Sequence, residues 1–206
     1  CDWLAALFHC HRAAIAARHG DRTGARAALA AAAAAELPTA SSAGRRYQLR
    51  HATATVLLAV ADPADAHTYL RVESDRLATA GAQRGAELLH IPYAEALRRL
   101  GHADHARAAL VIGLAAARAG NSYRAAFPGI LVAAALAGAT GDEDHAGTLA
   151  AGWHHTRQTL GLPTPLGYAA TGQVLNGTRP SPVSLDELLD HALSWCQAGA
   201  APIPGS

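Results

Sequence analysis

The chain contains no lysine and no methionine, and only two phenylalanines among its 206 residues. Each shortage closes off a class of function. Without lysine no Gly-x-x-x-x-Gly-Lys-Ser/Thr loop can form, so a nucleotide site of that type is excluded. All 17 basic residues are therefore arginines, and they balance the 16 acidic ones to a formal charge of +1. That balance provides no field for nucleic acid or for a membrane surface. The three cysteines, Cys1, Cys10 and Cys196, are odd in number and form no C-x-x-C pair. No disulfide framework is expected from them, and a reducing cytoplasm is the simple reading. No stretch has the length of a membrane span, and the apolar run from Phe127 to Ala139 is too short. No secretory leader is visible. The start at Cys1 rather than methionine suggests a fragment or a processed product.

What is abundant is alanine, about a quarter of the chain. It has the highest helix propensity and lets helices approach closely. Strand formers are sparse, so an all-α protein of helices packed on helices is expected.

A repeat organises these alanines. Four segments share one pattern: His19 to Ala25, Val60 to Ala66, Leu100 to Ala106 and Thr140 to Ala146. In each, a small turn residue is followed five positions on by Ala25, Ala66, Ala106 or Ala146, a period of about 40 residues. Leu29, Leu70, Leu110 or Ala150 comes four residues later. Ala13, Ala54, Ala94 or Ala134 precedes the turn by seven. A glycine or alanine ends the first helix, and a polar residue then starts the second. The small residues lie where the two helices cross, and each pair stacks on the next to bury its apolar face.

This register predicts eight helices in four pairs: Asp2–His19, Arg22–Glu36, Ser42–Val60, Ala64–Thr79, Arg84–Leu100, Ala103–Ala119, Tyr123–Ala137 and Glu143–Leu160. Pro38, Pro63, Gly81 and Gly120 punctuate them. Pro92 and Pro128 are expected in a first turn or at a kink. Ser184 followed by Glu187 is a capping box, so a further helix starts there. The division expected is repeats over 1–161, a linker and capping helix over 162–199, and a disordered tail over 200–206. Ala106 should face Ala94 where no room remains, and Arg107, about 100° around the helix, should lie on the exposed side.

Small residue, turn glycine and alanine five later resemble the tetratricopeptide (TPR) consensus, in a version longer than the usual repeat and with Ala or Leu at its aromatic positions. The fold class expected is thus an all-α, TPR-like α-solenoid of about four helix pairs plus a C-terminal helix. Residues 87–193 are also similar to the C-terminal helical-repeat region of actinobacterial transcriptional regulators. These are the ATP-binding LuxR-type and SARP-type families and related predicted ATPases. The similarity rests on Thr159-Leu160-Gly161-Leu162-Pro163-Thr164-Pro165 and on Ser184-Leu185-Asp186-Glu187-Leu188-Leu189. It implies an arm that senses or transmits, next to an ATPase or DNA-binding module. With the charge and cysteine readings, the expectation is a non-catalytic, cytoplasmic module that binds a protein or peptide partner, or a small-molecule effector, without contacting nucleic acid itself. By analogy with TPR proteins, Gln48, His51, Thr55, Glu95 and Arg98 would face the concave side and contact the partner.

The competing reading is a helical enzyme or metal-binding protein that uses the 12 histidines. His102 and His105 have the spacing of two ligands on one helical face, but they lie at a turn with no implied third ligand. His9-Cys10-His11 and His154-His155 place neighbours in different directions around a helix. No Gly-x-Ser-x-Gly elbow or His-Glu-x-x-His helix is present. Asp142-Glu143-Asp144 fits a helix start. Arg45, Arg46 and Arg50 fit a solvated helix face, and Cys10 a small buried side chain. No catalytic residue, metal ligand or cofactor is therefore assigned.

Overall fold

The computed structural model describes residues 2–35, 43–79, 85–174 and 181–199. Among them are ten helices and no strand: α1 (Asp2–Arg18), α2 (Arg22–Ala34), α3 (Ala43–Val60), α4 (Pro63–Thr79), α5 (Ala86–Arg99), α6 (Ala103–Ala119), α7 (Tyr123–Ala139), α8 (Glu143–Thr159), α9 (Ala169–Val174) and α10 (Leu185–Ala198). The first eight match the expected helices to within about two residues at each described end. Glu36, Pro38, Ser42, Gly81, Arg84 and the tail 200–206 lie outside the described residues, as does Cys1. The short helix α9 had no counterpart in the sequence reading.

The turns follow from local chemistry. After α5, Gly101 takes a left-handed φ of +78°, and two reversed bonds close the helix. His102 N donates to Leu97 O at 3.0 Å, and Gly101 N to Arg98 O at 3.0 Å. This is the Schellman motif, and glycine suits it because it has no Cβ to clash at positive φ. The α7–α8 turn repeats it at Gly141 (φ +82°), with Asp142 N on Ala137 O at 2.9 Å. The α3–α4 turn departs from it. Ala61 is not left-handed, and α4 instead begins with Pro63 at its first position, one residue before the expected start. Proline is favoured there because its missing N–H would have had no helical partner.

All eight repeat alanines are buried: Ala13, Ala54, Ala94 and Ala134 before the turns, Ala25, Ala66, Ala106 and Ala146 after them. Leu29, Leu70, Leu110 and Ala150 are buried as well. The register read from spacing therefore coincides with the core. The odd-numbered helices contact one another in succession, α1 with α3, α3 with α5, α5 with α7. Each even-numbered helix from α2 to α6 packs against its own partner and against the next odd helix. Close approach is visible at Gly113, where an added Cβ would meet Ile91 Cγ1 at 2.7 Å, and at Gly129, where it would meet Leu114 Cδ2 at 2.6 Å. At Gly113 the backbone nitrogen of Ile91 would also lie 3.1 Å from that Cβ, so a larger side chain there would press α5 and α6 apart.

Two apolar cores result. The smaller joins α1, α2 and one face of α3 through Ala6, Cys10, Ala13, Ala25, Leu29 and Val56. The larger runs from α3 to α8 and includes Leu188, Leu189, Ala192, Trp195 and Cys196 of α10. The helix α10 thus packs back on α6, α7 and α8. Its capping box forms as expected, with Glu187 N donating to Ser184 Oγ at 3.2 Å and Ser184 N to Glu187 Oε2 at 3.0 Å. No described helix is long and apolar enough to cross a membrane.

Two prolines are interior rather than in a first turn, Pro92 in α5 and Pro128 in α7. Proline at 92 has no N–H for the carbonyl of Leu88, one turn back. His51 of α3 fills that vacancy: its Nδ1–H donates to Leu88 O at 2.8 Å. The helix defect in α5 thereby becomes a tie between α3 and α5.

Candidate functional site

Between α1, α3, α7 and the segment after α8 lies a cavity of about 700 Å³. Cys10, Ala14 and Arg18 of α1 line it, with His51, Thr55 and Val56 of α3 and Arg124, Phe127 and Pro128 of α7. The segment after α8 adds Leu160, Leu162, Pro163, Pro165, Leu166 and Tyr168, and α10 adds Leu185. The volume is in the usual range for small-molecule pockets, and most of the lining is apolar.

The wall formed by the segment after α8 has a specific geometry. Gly167 has φ +87°, and an added Cβ would stand 2.7 Å from the Thr55 carbonyl oxygen and 2.9 Å from Leu58 Cβ. Only glycine permits both the conformation and the approach. The chain after α8 therefore lies directly on α3. An ion-pair network fastens it. Glu95 of α5 has no exposed surface and takes Arg98 Nε at 2.8 Å, Arg99 Nε at 2.7 Å and the Thr171 hydroxyl of α9 at 2.6 Å. Arg99 also donates to Leu58 O at 2.5 Å and to the Gly167 carbonyl. A buried carboxylate is tolerable only with such saturation.

The five residues expected on a partner-contacting face thus divide. His51 and Thr55 line the cavity, and the Thr55 hydroxyl is turned back to His51 O at 2.5 Å. Gln48 is exposed on α3 outside the cavity lining. Glu95 and Arg98 form the buried latch under the chain's own α9, where no partner reaches Glu95. Sequence reasoning missed the wall from Leu160 to Tyr168 and the cations Arg18 and Arg124. The change of pattern at Gly161-Leu162-Pro163-Thr164-Pro165 was the available signal for the first. Nothing in the spacing marked the second.

The titratable groups here are quiet. Burial pushes the His51 pKa down, the bond to Leu88 opposes this, and the charge of Arg124 adds to the lowering. His51 is therefore a neutral wall residue near neutral pH. Burial raises the Cys10 thiol, with only a 3.5 Å contact to Thr53 Oγ1 in opposition, so it is a poor nucleophile. Tyr168 is fully buried, its hydroxyl has no hydrogen-bond partner, and its pKa is raised by desolvation. His102 and His105 stand 6.2 Å apart between ring centroids. Among the described residues, no group of three or more His, Cys, Asp or Glu could hold a metal ion. The acidic run opening α8 has a second task, because Asp142 accepts the Trp195 Nε1–H of α10 at 2.9 Å. Arg50, read as solvated, instead pairs with buried Glu73 at 2.7 Å.

No family model, curated protein or solved structure matches the chain.

Proposed function

We propose that the chain is a ligand-sensing helical-repeat module of a regulatory protein, TPR-like in its paired helices. The ligand occupies the cavity, and the segment 160–174 responds to it. The observation that carries this reading is the composition of the cavity wall. Helices distant in sequence and the chain's own return segment share one apolar space. A ligand there touches both at once, so its binding energy couples the return segment to the repeats. That coupling is what a sensor requires. The latch at Glu95 then links the same segment, through Thr171 and Gly167, to α5.

The repeat register supports the TPR-like part, since every repeat alanine is buried where a helix crossing needs a small residue. The proposed link to helical-repeat arms of transcriptional regulators rests on a resemblance of residue motifs alone. A peptide on the cavity side of α3 and α7 is the second form of this reading. The wall from Leu162 to Leu166 already occupies part of that face, which favours a small molecule.

Titration calorimetry with 1-decanol, a neutral apolar probe, tests the pocket. Saturable binding of one molecule per chain, lost in both Ala14→Trp and Thr55→Trp, supports the reading. Absence of saturable binding by 1-decanol and by charged probes of the same length contradicts it.

A further inference from the structure

The charge of the cavity lining goes further. Two of its residues, Arg18 and Arg124, carry a fixed positive charge, and none of the described lining residues is acidic. The chain as a whole carries 17 basic and 16 acidic residues, so the wall departs from the balance of the molecule. Elsewhere five arginines are matched by carboxylates: Arg50 and Arg76 share Glu73, Arg98 and Arg99 share Glu95, and Arg118 meets Asp186 and Asp190. No ion pair or hydrogen bond within the described residues engages Arg18 or Arg124. Two carboxylates on neighbouring elements already have partners. Asp186 holds Arg118 at 2.5 Å and the Tyr123 hydroxyl at 3.1 Å, and Glu87 accepts the Gly85 amide at 3.1 Å.

We propose that the cavity binds a small apolar molecule carrying one carboxylate, with the carboxylate held by Arg124. This rests on the reading of the cavity as a ligand pocket.

Arg124 is preferred over Arg18 for a physical reason. Arg124 stands in the first turn of α7, whose N-terminal end carries the positive side of the helix dipole. Arg18 is the last residue of α1, where the dipole is negative and weakens the attraction for an anion. A guanidinium is also charged at every working pH and presents a planar fork that fits a carboxylate with two bonds. The apolar body then has Phe127, Pro128, Val56, Leu162 and Leu166 to cover it. A cation would face Arg124.

Calorimetric titration of the full chain with decanoate, 1-decanol and decylamine separates the outcomes. Decanoate should bind about tenfold or more tightly than 1-decanol, and decylamine more weakly than both. Arg124→Gln should remove the advantage of decanoate and leave 1-decanol unchanged, whereas Arg18→Gln should leave the preference in place. Arg124 is exposed, so its replacement does not disturb the core. If 1-decanol binds and decanoate binds no tighter, the carboxylate proposal fails while the pocket stands. Loss of the preference in Arg18→Gln but not in Arg124→Gln overturns the placement. If none of the three binds, both fail.

Discussion

The two ends of this molecule are built from the same alanine repeat and end up with different cores. Around α1 and α2, the buried set is Ala6, Cys10, Ala13, Ala25, Ala28, Leu29 and Ala32, with little area per residue. On its outer side α1 leaves Leu4, Phe8 and Ile15 exposed by 49%, 61% and 58%. By contrast, α7 is buried on every side from Ala125 to Ala137, enclosed by α5, α6, α8, α9 and α10. Large side chains fill that end: Ile130, Leu131, Leu136, Leu149, Trp153 and Leu188. Alanine spacing sets where helices cross in both regions. Stability per helix comes from the large side chains, because buried apolar area scales with their size. The cavity lies between the two regions and draws its wall from both.

The largest test of this contrast uses one substitution at each end. Trp153 is 1% exposed, stacks on Phe127 with ring centroids 5.0 Å apart and donates to the Phe127 carbonyl at 3.1 Å. Trp153→Ala should cost about 3–5 kcal/mol in urea unfolding, and Ile15→Ala on the open face of α1 less than about 0.5 kcal/mol. Similar costs at the two sites would dissolve the distinction.

Next is the junction. Glu95→Gln leaves Arg98 and Arg99 without their carboxylate in a buried site, with an expected loss of about 3 kcal/mol. The same variant should increase amide exchange at Gly172, whose N–H bonds the Tyr168 carbonyl, because a neutral amide is a weaker acceptor for the Thr171 hydroxyl and the two arginines. Unchanged exchange there would remove the latch from the account.

The repeat register itself is tested by Ala106→Leu, expected to overpack the α5–α6 crossing and cost about 1–3 kcal/mol. Arg107 needs a corrected expectation. Its guanidinium lies 4.1 Å from the centre of the Trp195 ring rather than free in solvent. Arg107→Ala should therefore cost about 0.5–1 kcal/mol, more than a bare surface change. A neutral Ala106→Leu would break the register.

Acid gives the smallest effect. The pKa values of His51 and His90 are lowered in the fold, mainly by burial. Between the folded values and the unfolded value of about 6.5, the unfolded chain holds more protons. Stability from these two groups is complete above that unfolded value and is lost as pH falls through it. The thermal midpoint should drop from pH 7.5 to 5.5, and His90→Gln should reduce the drop. A midpoint that rises on acidification would contradict the sign.

How much of this was legible follows from the forces at each place. The helices and turns were readable because they are local: Gly101 and Gly141 mark left-handed turns, and Ser184 with Glu187 marks a cap. The buried alanines were readable because their period repeats. The cavity was not, because its wall depends on Gly167 meeting α3 more than a hundred residues earlier, a contact without a periodic trace. Placing Glu95 and Arg98 on an open face followed from the register alone. The return segment that covers them has no register to read.

The position of that return segment is the central claim, and one nuclear Overhauser measurement on the full chain addresses it. Gly167 approaches the Thr55 carbonyl and Leu58 Cβ closely enough that no Cβ fits between them. A clear cross-peak is expected between the Gly167 α-protons and the Leu58 β-protons. Its absence, with both resonances assigned and sharp, would mean that the segment does not lie on α3 and that the cavity has no such wall.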